Sequence, residues 1–273
     1  MIALLVGCPM AELIRQRIAE NLRRLRLTRI RDILDPILEQ AQEKSTSYLE
    51  VFDQLLAEEV ASKEDRRFNL ALRLAGLPFE KTIDQYDFAF NPLLDKRSVM
   101  NLFDLEFIKQ NENVIFLGPP GVGKSHLAVS LAIKAAQYGQ SIYCTTMADL
   151  MKKLKKDHAQ NKKSGGKRNY CRNDLVIVDE LGYKPISRKD VHLFFQFVCS
   201  RYEKSSTIIT SNKSFTEWEE LFGDPVIATA ILDRLLHHCR VISVPGDSYR
   251  LREFQLRKEK ESKGKEAASI IDR

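Results

Sequence analysis

A glycine-rich segment constrains the fold of this chain more than any other feature. Residues 118–125 read GPPGVGKS, which matches the pattern G-x-x-x-x-G-K-[ST] at every fixed position. The apolar residues 114–117 predict a strand before this segment, and the pattern from Lys124 to about Tyr138 predicts a helix after it. In this context the backbone N–H groups of the loop can surround phosphate oxygens, and the start of the helix adds positive potential. The sequence therefore predicts a phosphate-binding loop.

Two side chains of this loop have expected contacts with a nucleoside triphosphate. The ammonium group of Lys124 is expected to reach the β- and γ-phosphates, and the hydroxyl of Ser125 is expected to bind Mg²⁺. The alternative is a chance glycine-rich loop, which the flanking strand and helix argue against. The residues expected to bind the nucleotide are Gly118, Pro119, Pro120, Gly121, Val122, Gly123, Lys124, Ser125 and His126.

Short apolar strands alternate with helical segments in the rest of this region. Further strands are predicted at residues 141–145, 175–178, 207–210 and 241–244, and helices at residues 147–158, 191–202 and 228–238. Short strands without polar interruptions are typical of a parallel sheet that helices cover on both faces. The expected fold class is therefore α/β, with a parallel five-stranded sheet as its core.

The amino-terminal part of the chain has a helical pattern instead. Apolar residues recur at helical spacing among charged ones, as at Leu13, Ile14 and Ile18, and Pro36 is expected to start or interrupt a helix. This predicts a small all-α domain at residues 1–78. Residues 79–98 combine aromatic residues with turn formers and are predicted to be a linker packed on the α/β domain at residues 99–253, and residues 254–273 form a charged tail.

Composition excludes several classes of protein. The chain is 44% hydrophobic and 29% charged, and no apolar run approaches the roughly 18 residues of a membrane span. Its five cysteines are widely spaced and form no C-x-x-C pair, which predicts reduced thiols and a cytoplasmic protein without a membrane partner. Residues 1–10 are apolar with no basic region before them, so we expect no secretory signal and a translation start at Met10.

Two acidic residues follow the predicted strand at residues 175–178. Ligands bind such sheets at the carboxyl ends of the strands, so Asp179 and Glu180 are expected beside the phosphate loop. Asp179 would help to hold Mg²⁺, and Glu180 would act as the general base that activates water. The alternative is an acidic pair that ends a strand at a turn. An acid placed for water favours hydrolysis over phosphoryl transfer to a metabolite.

Three further residues are candidates for the catalytic site because of their positions in the sequence. Asn212 follows the predicted strand at residues 207–210 and could contact the γ-phosphate or the attacking water, although asparagine is also a frequent helix cap. Arg234 lies on a predicted helix and Arg250 follows the last strand, and either could stabilise charge on a phosphate. The alternative for each arginine is a surface ion pair.

Taken together, these motifs resemble the IstB-like helper ATPases of bacterial insertion sequences, which are AAA+ proteins related to helicase loaders of the DnaC type. The resemblance covers about residues 22–253. Its stretches are GPPGVGKSHLA, VDELGY, TIITSN, WEELFGD, ILDRLLHH and DSYRLRE, with LAEEVASKEDRR and TIDQYDFAFNP nearer the amino terminus.

The resemblance implies an AAA+ P-loop ATPase in which Asn212 is the first sensor, Arg234 is an arginine finger acting on a neighbouring subunit, and Arg250 is the second sensor. The expected catalytic residues are then Lys124, Glu180, Asn212, Arg234 and Arg250. It also implies ATP-dependent oligomerisation on double-stranded DNA and action on a partner transposase encoded by the same element. DNA binding is expected to be largely independent of sequence, because few aromatic, Asn or Gln side chains accompany the lysines of residues 152–168. The helical domain would bind DNA or self-associate. Two alternatives stay open: a helicase loader with the same site, and a DNA-binding adaptor with negligible turnover.

Basic residues are concentrated in one segment. The formal net charge of the chain is +6, but residues 152–168 alone contain eight basic residues and one acid, Asp157. A basic loop on such an ATPase is a candidate for contact with the DNA backbone, and the alternative is a solvated surface. The residues predicted to bind DNA are Lys152, Lys153, Lys155, Lys156, Lys162, Lys163, Lys167 and Arg168.

His237, His238 and Cys239 are adjacent at the end of a predicted helix and could suggest a metal site. Adjacent histidines on a helix face different directions, and no other ligands stand at zinc spacing, so these residues are not expected to bind a metal. The metal ligands predicted from the sequence are therefore Ser125 and Asp179, for Mg²⁺.

Overall fold

The computed structural model describes residues 9–160 and 169–252, together with residues 254, 255 and 258. The chain divides into two compact units, Met1–Leu70 and Ala71–Arg273. Residues 1–8, the basic residues 161–168 and most of the charged tail lie outside the described residues. The domain boundaries predicted at residues 78, 98 and 253 stay predictions.

The first unit is helical, as the apolar pattern predicts. Its core consists of Ile30, Ile37, Val51 and Leu55, which are all buried. The carboxylate of the buried Glu59 accepts a hydrogen bond from the backbone N–H of Ile30 at 3.0 Å, which satisfies a donor in the first turn of a helix. The helices that supply these residues are α1 (Pro9–Arg24), α2 (Thr28–Lys44) and α3 (Tyr48–Ala75), and α3 runs past Leu70.

The expectation that Pro36 starts or interrupts a helix is wrong. Pro36 lies inside α2 and its side chain is exposed. Proline removes one backbone donor from a helix and strains the preceding turn. The helix nevertheless continues because Ile30 and Ile37, before and after this point, are both buried in the core of the unit. Tertiary packing therefore outweighs the local preference.

The second unit contains a parallel sheet of five strands in the order β2-β3-β4-β1-β5. The strands are β1 (Asn113–Leu117), β2 (Ile142–Thr146), β3 (Leu175–Leu181), β4 (Ser206–Ser211) and β5 (Cys239–Ser243). Each overlaps a strand predicted from an apolar run, so the predicted α/β fold class with five parallel strands is confirmed.

Helices precede β1 and connect the strands along the chain. They are α4 (Lys96–Met100), α5 (Glu106–Lys109), α6 (Lys124–Gln137), α7 (Met147–Ala159), α8 (Asn169–Arg172), α9 (Arg188–Arg201), α10 (Phe215–Phe222) and α11 (Pro225–Leu236), with single 3-10 turns at Ile83–Gln85 and Asn101–Asp104. One large hydrophobic cluster joins strands of the sheet to α7, α8, α9, α10 and α11, and it contains Val176 and Ile209 from the sheet together with Phe194 and Trp218. Burial of these side chains holds the strands in place.

The strand order brings distant parts of the sequence to one edge of the sheet. β4 lies between β1 and β3, so the carboxyl ends of these three strands are neighbours. The phosphate loop follows β1, the acidic pair ends β3, and Asn212 follows β4. The candidate site therefore lies at this edge, as expected for a sheet of this type.

Two further findings bear on the sequence-based expectations. The described cysteines Cys144, Cys171, Cys199 and Cys239 form no disulfide. Among the described residues, no helix has the length and apolar character needed to cross a membrane.

Candidate nucleotide-binding site

Two glycines let the phosphate loop pass close to neighbouring groups. Gly118 has φ +157°, and a Cβ atom there would lie 2.0 Å from the carbonyl oxygen of Val244. Gly123 has φ +100° at the start of α6, and a Cβ atom there would lie 2.7 Å from Cε2 of Tyr86. Neither position has room for a larger residue, which explains the glycines at these places in the motif.

Lys124 lies inside the loop. Its side chain is buried, and Nζ donates hydrogen bonds of 2.7 Å to the carbonyl oxygens of both Gly118 and Pro119. Burial lowers the pKa of Lys124, while the nearby Asp179 raises it and Arg250 lowers it. Carbonyl oxygens are weaker partners for an ammonium group than phosphate oxygens are. A bound phosphate can therefore replace them as the partner of Lys124.

The carboxylate of Asp179 connects the phosphate loop to β4. Its Oδ1 accepts a hydrogen bond of 2.9 Å from Ser125 Oγ and a second one from the hydroxyl of Thr210. Carboxylate and hydroxyl oxygens are hard ligands of the kind that Mg²⁺ prefers. The side chains present thus fit the magnesium site predicted from the sequence, with Ser125 and Asp179 as its protein ligands.

Glu180 has an unusual backbone conformation. The pairing of β3 with β4 runs in register to Val178 and resumes at Leu181, and between them Glu180 has φ +64°. Residues with a side chain rarely adopt this left-handed conformation. The backbone N–H of Glu180 donates to Thr210 Oγ1 at 3.0 Å, so the bulge keeps a hydrogen-bond partner. Such bulges change the direction of a side chain, and the exposed side chain of Glu180 lines the cavity above the loop.

Thr210 is absent from the sequence-predicted site, although it contacts both acidic residues. Its hydroxyl donates to Asp179 and accepts from the N–H of Glu180. The only local signal is a hydroxyl near the end of a buried strand, and many such hydroxyls are structural. The contact depends on the pairing of β3 with β4, which joins residues about thirty positions apart.

A cavity of about 370 Å³ lies over the phosphate loop. Residues 121–126 of the loop, the acidic pair and Arg250 line this cavity. Aromatic rings also line it, and such rings can pack against a nucleotide base. These rings belong to Phe79, Tyr86, Phe90, Tyr183 and Tyr249. Of the predicted nucleotide-binding residues, Gly118 and Pro119 contact Lys124 and do not line the cavity, and Pro120 does not line it either.

Thr82 and Tyr86 attach the segment before the sheet to the phosphate loop and the first turn of α6. The hydroxyl of Tyr86 donates to the carbonyl oxygen of Val122 at 3.1 Å, and the Tyr86 ring lies 5.3 Å from that of His126 in an edge-on arrangement. Nε2 of His126 lies 2.9 Å from the carbonyl oxygen of Thr82, so this nitrogen carries the proton. Burial lowers the pKa of His126 and favours its neutral form. His126 therefore positions this segment.

Asn212 does not cap a helix. The N-cap of α10 is Ser214, which forms a capping box with Glu217, so the alternative role of Asn212 as a cap is wrong. Its Oδ1 atom is buried without a hydrogen-bond partner among the described residues, close to Gly182. A buried amide oxygen without a partner is costly and indicates a site that a water or ligand completes. Asn212 does not line the cavity, and its sensor role stays a prediction.

The two candidate arginines differ in position. Arg250 lines the cavity. Arg234 lies on α11, where its guanidinium group stacks 4.7 Å from the ring centre of Phe195 and donates to the carbonyl oxygen of Ala230, and it does not line this cavity. In the described part of the chain, neither arginine pairs with a carboxylate, so the alternative of a surface ion pair finds no support there.

The basic segment is described only in part. On α7, Lys152 pairs with Asp149 at 2.9 Å and Lys155 pairs with Asp190 at 2.7 Å, whereas Lys156 is exposed. Neighbouring acids therefore compensate some of the charge that looked concentrated in the sequence. Lys162, Lys163, Lys167 and Arg168 lie outside the described residues. The contact of this segment with DNA stays a prediction.

Comparison with known proteins identifies the family. The sequence profile described as IstB-like ATP binding protein matches residues 20–257. A protein of insertion sequence IS5376 from Geobacillus stearothermophilus, named as an ATP-binding protein, is 40% identical over 247 residues, which cover 90% of this chain and 98% of that protein. The protein named in the same way from IS21 of Pseudomonas aeruginosa is 41% identical over 232 residues, with 85% and 88% covered.

A solved structure supports the fold. DnaA from Aquifex aeolicus, determined with bound AMPPCP, aligns with a TM-score of 0.52 and 14% identity over 68% of this chain and 56% of that chain. At this identity the similarity concerns the fold alone, which is that of the AAA+ P-loop proteins. Since the family profile covers most of the sequence and the relatives are about 40% identical along nearly their whole length, the chain belongs to the IstB-like ATP-binding proteins of insertion sequences.

Proposed function

We propose that this protein hydrolyses ATP between assembled subunits on double-stranded DNA, and that this cycle controls a transposase encoded by the same insertion sequence. The observation that carries the proposal is the position of Glu180. Its carboxylate lines the cavity beside Asp179 and the phosphate loop, and a backbone bulge fixed by Thr210 directs it there.

Hydrolysis requires a base for water and positive charge for the phosphate. Glu180 is exposed in the cavity and can accept a proton from the water that attacks the γ-phosphorus, while ADP leaves with the electrons of the broken P–O bond. Lys124 and Arg250 supply positive charge from the same cavity. Mg²⁺ held by Ser125 and Asp179 would neutralise phosphate charge when it is bound.

Assembly is proposed because Arg234 does not line the cavity of its own chain. Its guanidinium group lies on α11 against Phe195, where it can be offered to a neighbouring subunit. An arginine that acts in this way couples hydrolysis to contact between subunits. The insertion-sequence relatives support a transposase and DNA as partners of the assembly.

The proposal is tested by nucleotide binding and turnover of three variants. Lys124→Ala is expected to lose nucleotide affinity. Glu180→Gln is expected to bind ATP but to turn over at least 100-fold more slowly, which traps the DNA-bound assembly. Glu219→Gln removes an exposed carboxylate on α10 and serves as the matched control. Normal turnover by the Glu180→Gln protein would show that the base is assigned wrongly.

Mixing variants tests the action of Arg234 on a neighbour. Arg234→Ala and Glu180→Gln are each expected to be inactive alone. When mixed, the intact Glu180 of the first variant can meet the intact Arg234 of the second, so part of the activity should return. If the mixture stays as inactive as its components, Arg234 does not act across the subunit interface.

A further inference from the structure

A second group of titratable side chains lies away from the nucleotide site. Glu203 lies in the turn between α9 and β4, and His237 and His238 lie between α11 and β5. One ligand atom from each residue can be chosen so that all three lie within 4.8 Å of one another. Glu203 Oε1 lies 3.8 Å from His237 Nδ1 and 3.6 Å from His238 Nε2.

The helix-based reason for not expecting these two histidines to bind a metal is wrong. α11 ends at Leu236, so His237 is its C-cap and His238 leads into β5. The expectation that these two side chains face different directions assumed a helix that continues through both residues. Here the chain changes direction, and the two imidazole rings lie 4.0 Å apart between their centres.

One short segment anchors both turns of the cluster. The carbonyl oxygen of His238 accepts a hydrogen bond of 2.8 Å from the backbone N–H of Asn113, and that of Glu203 accepts one of 3.2 Å from Asn111 Nδ2. The cluster also lies at the carboxyl end of α11, where the helix dipole favours a cation. The backbone therefore holds the three side chains near one another before any ligand binds.

The distances suit a small tetrahedral ion. Zinc binds imidazole nitrogen at about 2.0–2.1 Å, so two of its ligand atoms lie about 3.4 Å apart. The separations of 3.6 and 3.8 Å from Glu203 need only small rotations to reach this value. We propose that Glu203, His237 and His238 form a binding site for Zn²⁺ or a similar transition-metal ion, with water as the remaining ligand.

Two side chains neighbour this site. The hydroxyl of Tyr202 lies 2.8 Å from Nδ1 of His237, so it holds the ring in place until an ion takes that nitrogen. Cys239 follows directly in the sequence, but it begins β5 and its sulfur does not belong to the group of ligand atoms that meet in the cluster.

A bound ion would join the α9–β4 turn to the end of α11. Arg234 lies on the last turn of α11, so a bound ion would restrict the movement of the helix end that carries Arg234. The metal site is nevertheless independent of the proposed function, because binding can be measured without nucleotide or DNA.

The test is a calorimetric titration of Zn²⁺ into the metal-free full-length protein. One ion per chain is expected, and Glu203→Gln, His237→Ala and His238→Ala should each weaken binding at least about 10-fold. His192→Ala removes an exposed histidine on α9 and should titrate like the unchanged protein. Binding should also weaken at acidic pH, because the imidazole ligands must be neutral.

Two controls keep the result decisive. Thermal unfolding without metal shows whether each variant still folds, and the visible spectrum of the Co²⁺ complex shows whether thiolate takes part. Weaker binding only in the three cluster variants supports the site. Unchanged binding in those variants, or binding that is lost in Cys239→Ser and gives a thiolate spectrum, would overturn it.

Discussion

Replacing Thr210 by valine would remove one hydroxyl and almost no volume. This hydroxyl donates to the carboxylate of Asp179 and accepts from the backbone N–H of Glu180. Valine keeps the β-branched shape that suits the buried strand β4. The variant therefore separates the hydrogen bonds of Thr210 from its packing.

The structure gives the expected size of the effect. A buried donor that loses its partner costs about 1–3 kcal/mol, and the left-handed conformation of Glu180 is itself unfavourable by roughly 1–2 kcal/mol. Without the Thr210 hydroxyl, Glu180 can relax away from φ +64° and regain another partner for its N–H. A shift of about 1–3 kcal/mol corresponds to a roughly 5- to 150-fold smaller population of the working geometry. We expect kcat for ATP to fall by a factor within this range.

The assay is steady-state ATP hydrolysis, with nucleotide binding measured separately. Lys124 and the phosphate loop keep their contacts in the Thr210→Val protein, so ATP affinity should change little while kcat falls. Thr210→Ser keeps the hydroxyl and should recover most of the activity. An unchanged kcat would refute a positioning role for Thr210. An equal loss of affinity and turnover, with no rescue by serine, would show that the residue is merely structural.

Two further predictions concern the loop and the basic helix. Gly123→Ala should weaken nucleotide binding, measured by calorimetry, at least about 10-fold, because φ +100° and the 2.7 Å approach to Tyr86 leave no room for a Cβ atom. A normal nucleotide affinity would contradict this role of Gly123. For DNA binding, Lys156→Glu should lower the slope of log affinity against log salt concentration by about one. Lys152→Glu should lower this slope by less, because Lys152 already pairs with Asp149. Equal slopes in all variants would show that α7 does not contact DNA.

The features predicted correctly from the sequence are local ones. The loop from Gly118 to Ser125 has the residue type that the motif requires at every fixed position. The strand and the helix that flank the loop are next to it in the chain. The acidic pair is also a local feature, because it directly follows the four consecutive apolar residues that indicate the buried strand β3. Periodicity and steric limits act over a few residues, so they can be recognised without the fold.

The features absent from the sequence-based predictions depend on contacts between segments that are distant in the chain. The aromatic residues that line the cavity come from residues 79–90, from Tyr183 and from Tyr249, and these segments meet only in the folded chain. The cluster of Glu203 with His237 and His238 likewise requires two turns to meet at one edge of the sheet. For Pro36 a local rule gave the wrong result, because burial on both sides of it outweighs a lost hydrogen bond.

The sequence by itself predicted a phosphate-binding loop, the position of this loop in the chain and the class of fold that carries it. Glycine, lysine and serine at fixed spacing can form that loop wherever a strand and a helix flank it. The tertiary structure decided which side chains complete the site. Thr210 meets Asp179 and Glu180 because β4 pairs with β3, and the order of strands in a sheet follows from how the whole core packs and not from any short stretch of sequence.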